Sequence, residues 1–110
     1  MRMTVENWKR FKTQGKKTTI RTRIIPIGIH KVLAGPLFKS TRLGRLFIGS
    51  MSPFKDVKKA KDLTEQDARN DGFRNLCELL IELAHRNPNL TVNTTVYIHP
   101  ARVIEDLIGA

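Results

Sequence analysis

The hydrophobic periodicity of this chain changes at Gly15, and that change limits the possible fold more than any other feature of the sequence. Residues 4–14 carry apolar side chains at helical spacing behind a capping threonine, which predicts a short helix that Gly15 can end. Residues 18–24 alternate with period two and are rich in β-branched side chains, which predicts a strand. In that strand Ile20 is expected to face inward and Thr19 outward.

Three further strands are predicted downstream. Residues 29–33 and 43–50 flank a glycine-proline turn and have strand-like composition. Residues 94–104 alternate again and contain Pro100, which predicts a sheet edge or a bulge at that point. Between the strands, residues 53–61 form a polar connector that is rich in lysine.

Two helices are predicted in the second half of the chain. Thr64 can cap the first helix, and Gly72 can end it in the left-handed region that glycine enters at little cost. Asn75 can cap the second helix, which is expected to run to about Arg86. The leucines that form one stripe on this helix, and that we expect it to bury, are Leu76, Leu79, Leu80 and Leu83.

Strands and short helices in this order predict one α+β domain over residues 1–110. Hydrophobic residues make up 40% of the chain, which is enough for a core, and no apolar run approaches the roughly 20 residues of a membrane span. The single cysteine, Cys77, excludes an internal disulfide and is expected to pack as a small residue in an apolar helix. A reducing compartment fits this usage, so we expect a cytoplasmic protein with no membrane partner.

Positive charge is concentrated in the N-terminal half. Of the formal net charge of +10, residues 1–50 carry +11, from twelve Lys or Arg and one acid, and residues 51–110 carry −1, from eight and nine. A one-sided basic field attracts a polyanion, because each neutralised phosphate releases condensed counterions. This segregation favours a nucleic-acid partner over a surface that is basic only for solubility.

The chain offers no pattern typical of a metal or cofactor site. His30, His85, His99 and Cys77 are dispersed and share no metal-ligand spacing. A glycine-rich phosphate loop and a Ser/His/Asp arrangement are also missing. We therefore expect neither a metal nor a cofactor.

Two stretches of the chain carry a resemblance to a known family. The first runs from Lys16 to Arg21 and has the order Lys-x-x-Thr-Ile-Arg, and the second is a Leu-Thr-Glu helix that ends at Asp71. In this order they resemble the two halves of the ASCH domain, a small β-barrel related to the PUA-like RNA-binding folds. The likeness covers residues 8–104, approximately, and implies a PUA-like β-barrel with short flanking helices.

The resemblance also implies a possible chemistry. In the catalytic members of the family, bacterial N4-acetylcytidine amidohydrolases, a lysine activates a threonine nucleophile beside a carboxylate, which implies these roles for Lys16, Thr19 and Asp71. A lysine can act as a base only where its surroundings lower its pKa from about 10.4. Lys17 stands where those enzymes have a threonine, and Asp71 stands where they have a glutamate. In the alternative interpretation, Lys16 contacts phosphate, Thr19 is a strand residue and Asp71 ends a helix.

The interpretation that we place first is a module that binds RNA, or a modified nucleoside, in a basic cleft. If the first three strands are neighbours, their basic side chains can line one rim and position a nucleic-acid backbone without reading its sequence. The candidate contacts are Lys16, Lys17, Arg21, Arg23, Lys31, Lys39, Arg42 and Arg45. The aromatic side chains available for base stacking are Trp8, Phe38, Phe47 and Tyr97. A small amidohydrolase and an interaction module of a larger ribonucleoprotein are the alternatives.

Overall fold

Short helices and an antiparallel sheet make up the computed structural model, which describes residues 1–109. The elements in chain order are α1 (Val5–Thr13), β1 (Thr18–Arg21), β2 (Gly28–Ala34), β3 (Thr41–Ile48), β4 (Val57–Lys59), a 3₁₀ turn (Ala60–Asp62), α2 (Glu65–Asn70), α3 (Leu76–Arg86) and β5 (Thr95–Asp106). The radius of gyration is 13.3 Å, the size expected for a compact fold of this length. The predicted α+β class is confirmed.

The five strands are paired in the order β1–β5–β3–β2, and β4 pairs with the first part of β5. β5 pairs with β1 as far as Pro100 and with β3 from Ala101 onward. Pro100 lies where β5 changes partner, a position at which the missing proline N–H costs no ladder hydrogen bond. The strand is central in the sheet, so Pro100 does not mark the predicted edge. The register shift between β3 and β5 lies elsewhere, between Arg45 and Leu46.

β1 and β2 lie at the two ends of this strand path. In residues 1–109 no hydrogen-bonded ladder joins them. The chain before α1 adds to the free side of β2, where Arg2 forms a parallel bridge with Leu33. The two ends of the sheet therefore remain available to form the walls of a cleft.

Two apolar clusters lie on opposite faces of β5 and β1. The first, between the sheet and α1, contains Met3, Trp8, Val32, Ala34, Leu43, Leu46, Ile48 and Ala101. The second, between the sheet and helices α2 and α3, contains Ile20, Leu63, Ala68, Phe73, Leu79, Leu83, Val96 and Ile98. Because successive side chains of a strand point to opposite faces, β5 supplies residues to both clusters. The first half of β5 is thus covered on both faces, whereas Arg102 and Ile104 in its second half are exposed.

The predicted helix caps are confirmed. The side chains of Thr4, Thr64 and Asn75 each accept a hydrogen bond from a backbone N–H in the first turn of their helices. Asp67 completes a capping box on α2 by accepting from the Thr64 N–H. Gly72 follows this helix with a φ of 85°, in the left-handed region. Local hydrogen bonding therefore determines where these helices begin and end.

The leucine stripe of α3 is buried in part. Leu79 and Leu83 are buried, whereas Leu76 and Leu80 are half-buried and pack against the second cluster. Cys77 is exposed, so the expectation that it packs as a core residue is wrong. It lies one position past Leu76, on the side of the helix that faces away from the sheet.

The prediction for residues 18–24 is wrong in two respects. The strand ends at Arg21, and Thr19, expected to face outward, is as buried as Ile20. An alternating pattern indicates which side chains face solvent only when one face of the strand is solvated. β1 is covered on both faces, so the alternation did not identify an outward side. Within the predicted connector 53–61, the structure also contains β4, which is too short to give a periodic signal.

Candidate functional site

Lys16, and not Lys17, is the lysine that meets Asp71. Gly15 adopts a φ of 65°, and this turn lets the Lys16 N–H donate to the Arg10 carbonyl oxygen at the end of α1 (3.0 Å). The Lys17 N–H then donates to a carbonyl in the last turn of α2 (2.8 Å). Lys16 consequently points into the protein and is buried, whereas Lys17 is exposed.

The Lys16 ammonium is enclosed by acceptors from one residue. Its Nζ lies 2.8 Å from Asp71 Oδ1 and 3.1 Å from the Asp71 carbonyl oxygen. The Lys16 side chain is 0% exposed and the Asp71 side chain 5%. Thr18 donates its hydroxyl to the same Oδ1 (3.2 Å), and the Phe11 ring centroid is 5.3 Å from Nζ. The two residues form a buried ion pair at the junction of α1, β1 and α2.

Gly72 fits this junction tightly. A Cβ at Gly72 would lie 2.9 Å from the Arg10 Cβ and 3.0 Å from the Lys16 Cβ, so no larger residue fits without displacing them. The Arg10 guanidinium donates to the Gly72 carbonyl oxygen (3.1 Å) and stacks over the Phe73 ring at 4.2 Å. The Asp-Gly-Phe corner thus holds Asp71 against Lys16.

Burial acts on both members of this pair. It lowers the pKa of the Lys16 ammonium, and the Asp71 charge offsets this in part. Burial also raises the pKa of the Asp71 carboxyl, against the opposing effect of Lys16 and the Thr18 hydroxyl. A lysine with a lowered pKa beside a carboxylate has the electrostatic character that a catalytic base needs.

Thr19 is separate from the pair. It is 1% exposed, and its Oγ1 accepts a hydrogen bond from Arg21 Nε (3.2 Å). In residues 1–109 no hydrogen bond joins Lys16 Nζ to Thr19 Oγ1. The threonine whose hydroxyl contacts Asp71 is Thr18, which the sequence analysis did not single out. The structure therefore brings Lys16 and Asp71 together and directs Thr19 toward Arg21.

Arg21 leads to a cleft of about 470 Å³ that we call the arginine cleft. The cationic side chains on its wall are Arg2, Arg21, Arg23 and Arg86. Its apolar wall contains Ile20, Ile25 and Leu83, and no Asp or Glu lines it. A second cleft, near α1 and α3, has equal numbers of acids and bases: Glu6, Glu78 and Glu82 with Lys9, Arg10 and Arg74. Neither cleft is lined by Lys16, Thr19 or Asp71.

The charge of Arg21 is poorly compensated. Its Nη2 is buried and has no hydrogen-bond partner in the described part of the chain. Burial, with a smaller contribution from Arg86, lowers the pKa of Arg21 to about 10. In residues 1–109 no salt bridge is formed by Arg21, Arg23 or Arg86. The fourth arginine, Arg2, donates hydrogen bonds to the Gly35 carbonyl oxygen and the Ser40 hydroxyl. An anion in the cleft would offset this positive charge and would meet Arg21 through atoms other than the enclosed Nη2.

His99 fixes the loop that carries Arg23. Its Nε2 accepts a hydrogen bond from the Ile25 N–H (2.9 Å), and its Nδ1 lies 3.2 Å from the Thr19 carbonyl oxygen. A carbonyl can only accept, so Nδ1 carries the hydrogen and the ring is neutral. Burial lowers the pKa of His99, which is 0% exposed, and so favours this neutral form.

The predicted basic rim is divided between separate surfaces. Arg21 and Arg23 line the arginine cleft, but Lys16 is buried and cannot reach a phosphate. Lys31 and Arg45 are cross-strand partners, and they alternate with buried neighbours, so they lie on the outer face of the sheet. Arg42 and Arg45 there lie 3.6 and 3.4 Å from Glu105, while Lys39 is exposed in the turn between β2 and β3.

Arg86 is the functional candidate that sequence reasoning missed. It lies three residues after Leu83 on α3, so both side chains face the same side of the helix, toward the sheet. A charged residue that continues an apolar stripe was the signal that could have identified it. Arg21, another cationic side chain of the arginine cleft, is 65 positions earlier in the chain. Only the folded structure places these two like charges on one cleft.

The predicted stacking residues do not lie in the arginine cleft, whose wall contains no Trp, Phe or Tyr. Trp8 is buried in the first cluster, and Tyr97 is half-buried. Phe38, in the turn between β2 and β3, is 99% exposed. Phe47 lies on the outer face of the sheet under the Arg102 guanidinium, 5.1 Å from its ring centroid.

Comparison with protein-family models, with curated proteins and with solved structures finds no match to this chain. In residues 1–109 no three of the His, Cys, Asp and Glu side chains are grouped so that they could hold a metal ion. No helix of the same residues combines the length and the apolar character required to cross a membrane.

Proposed function

We propose that this chain is an RNA-binding domain of the ASCH type and that the arginine cleft holds the RNA backbone. The observation that carries the proposal is that Arg21, which forms no salt bridge within residues 1–109, lines this cleft. Two further guanidinium groups, those of Arg23 and Arg86, line the same cleft without a carboxylate. Guanidinium groups bind phosphate with charge-assisted and often bidentate hydrogen bonds, so a phosphate is the ligand that suits this wall.

The PUA-like barrel is part of the same proposal. It is supported by the position of the cleft, which is lined both by Arg21 of β1 and by His30 of β2. These strands are the two ends of the strand path, so the sheet curls until its ends face each other across the cleft. An open barrel with a ligand site at the gap is consistent with this arrangement.

The proposal is tested by measuring RNA affinity at several salt concentrations. Each lost phosphate contact is expected to reduce the slope of log K against log salt by about 0.7 for a single strand. Arg86→Gln removes a charge from the cleft and is expected to weaken binding and reduce this slope. Arg42→Gln removes the same charge from the outer face and is the matched control. Salt-independent binding, or a loss with Arg42→Gln alone, would contradict the proposal.

A second candidate function is the hydrolysis of N4-acetylcytidine-type nucleosides. The buried contact of 2.8 Å between Lys16 Nζ and Asp71 Oδ1, with a lysine pKa that burial lowers, favours it. Against it, Thr19 is buried beside Arg21 and lies on the wall of neither cleft. A substrate would require this region to open before Thr19 could react, so we place binding first.

Release of cytidine from N4-acetylcytidine, followed by chromatography without added metal, tests this candidate. Thr19→Ala is expected to abolish turnover if Thr19 is the nucleophile, and Thr41→Ala, which removes an exposed hydroxyl on β3, is the matched control. Asp71→Glu is expected to preserve or raise the rate, because it restores the longer side chain of the family's amidohydrolases. No cytidine above the buffer control would leave RNA binding as the sole proposal.

A further inference from the structure

The arginine cleft concentrates more positive charge than one link of an RNA backbone can neutralise. Arg21, Arg23 and Arg86 come from three different segments, the end of β1, the following loop and the last turn of α3. No carboxylate lies on the wall to offset them. An internal phosphodiester carries a single negative charge, whereas a terminal phosphate monoester carries nearly two near neutral pH and has three strong acceptor oxygens.

The cleft also has more hydrogen-bond donors than the free oxygens of one phosphodiester can accept from. Arg21 Nε is engaged by Thr19 Oγ1, and within residues 1–109 the Arg21 side chain forms no salt bridge. Each guanidinium presents a planar set of N–H donors, and acceptors must come from the ligand because the wall provides no carboxylate. A monoester has one more free oxygen than a diester, and it can accept from more of these groups at once.

The size of the cleft suits a single nucleotide. Five segments contribute to its wall: the N-terminal segment at Arg2, strand β1, the loop that follows β1, strand β2 at His30, and the end of α3. Its volume of about 470 Å³ falls within the range, roughly 300–1,000 Å³, of sites that enclose one small ligand.

We propose that the arginine cleft selects a terminal phosphate monoester of RNA, at the 5′ or the 3′ end, over a hydroxyl end or an internal phosphodiester. This inference rests on the proposed function, since it assigns the cleft's ligand. The apolar side chains of Ile24, Ile25 and Pro26, which are less buried than Ile20 and Leu83, contact the sugar and base of the terminal nucleotide without distinguishing its sequence. The selected feature is the charge and number of free oxygens at the end of the chain.

The test compares three short RNAs of one sequence: one with a 5′-phosphate, one with a 3′-phosphate and one with hydroxyl groups at both ends. At a fixed salt concentration, one phosphorylated RNA is expected to bind at least about tenfold more tightly than the hydroxyl RNA, a difference of about 1.4 kcal/mol. Which end gives the increase identifies the orientation of the chain in the cleft. Equal affinities for all three RNAs would overturn the inference.

Variants locate the effect. Arg86→Gln and Arg23→Gln are expected to remove most of the preference for the phosphorylated end, and Arg69→Gln, an exposed charge on α2, is expected to leave it intact. Two positions are used because Arg86 is half-buried and Arg23 is exposed, so a folding defect in one does not decide the outcome. A preference that survives both substitutions would overturn the assignment to this cleft.

The result separates this inference from the proposed function. Tight, salt-dependent binding that depends on Arg86 but not on the phosphorylated end would retain RNA binding in the cleft and reject selection of the end. An absence of binding to all three RNAs at low salt would reject both.

Discussion

Replacement of Asp71 by asparagine is expected to destabilise the protein by several kcal/mol. The substitution keeps the shape of the side chain and one acceptor oxygen, but it removes the negative charge 2.8 Å from the Lys16 ammonium. Lys16 is 0% exposed, and within residues 1–109 no other carboxylate lies within salt-bridge distance of it. Breaking a buried pair by removing one partner typically costs about 3–5 kcal/mol, because a charge is left uncompensated.

The cost also has an upper limit, because Lys16 can release its proton instead of remaining charged. The lysine pKa of an unfolded chain is about 10.4, roughly 3 units above pH 7, and each unit is worth about 1.4 kcal/mol, which gives a limit of about 5 kcal/mol. In the variant, a folded state with neutral Lys16 binds fewer protons than the unfolded state below pH 10.4, approximately. Its stability should therefore rise as the pH increases from 7 toward 10.

Urea denaturation at pH 7 and pH 9 measures these free energies of unfolding. Glu78→Gln, which breaks the exposed pair with Arg74, is the control and should leave the free energy of unfolding nearly unchanged. Lys16→Met with Asp71→Leu, which removes both charges, should recover most of the stability lost in Asp71→Asn. A loss below about 1 kcal/mol in Asp71→Asn, with no dependence on pH, would refute the account of a buried ion pair.

Three further predictions concern the fold. Burial lowers the pKa of His99, so the unfolded state takes up a proton before the folded state does, and the free energy of unfolding should fall as the pH drops below about 6.5. Denaturation at pH 7.5 and 5.5 should show a smaller fall for His99→Gln than for the unchanged protein, and equal falls would contradict this. Gly44→Ala should prevent stable folding, seen as a loss of cooperative melting, because a Cβ would overlap the Glu105 carbonyl oxygen; a normal melting curve would contradict this. Leu79→Ala should cost about 2–5 kcal/mol in urea denaturation, and half-buried Leu80→Ala clearly less; equal costs would contradict the burial of the stripe.

Local features of the fold could be predicted from the sequence because short-range interactions decide them. The caps at Thr4, Thr64 and Asn75 involve residues three positions apart, and the positive φ of Gly72 follows from its place after a helix. Strand β4 was not predicted, since its three residues pair with β5 through a contact that is distant in sequence. The pairing of β4 depends on where β5 lies in the fold, and no local sequence pattern indicates that position.

The site was predictable in part. Lys16 and Asp71 were expected to meet, and they do, at 2.8 Å. Their burial could not be predicted, and it removes Lys16 from the set of phosphate contacts. Charge counts located the basic half of the chain, but the sum over residues does not distinguish Arg21, which lines the cleft, from Arg45, on the outer face. That distinction depends on which face of the sheet each side chain occupies and on which parts of the sheet the helices cover.

The most direct test of the central claim is a crystal structure of the protein bound to a short RNA. The account predicts a phosphate group in the arginine cleft, within hydrogen-bonding distance of the guanidinium groups of Arg21 and Arg86. In that complex Lys16 should remain buried against Asp71 without contact to the RNA. An RNA bound instead across the outer face of the sheet, at Lys31, Arg42 and Arg45, with no phosphate near Arg21, would contradict the account.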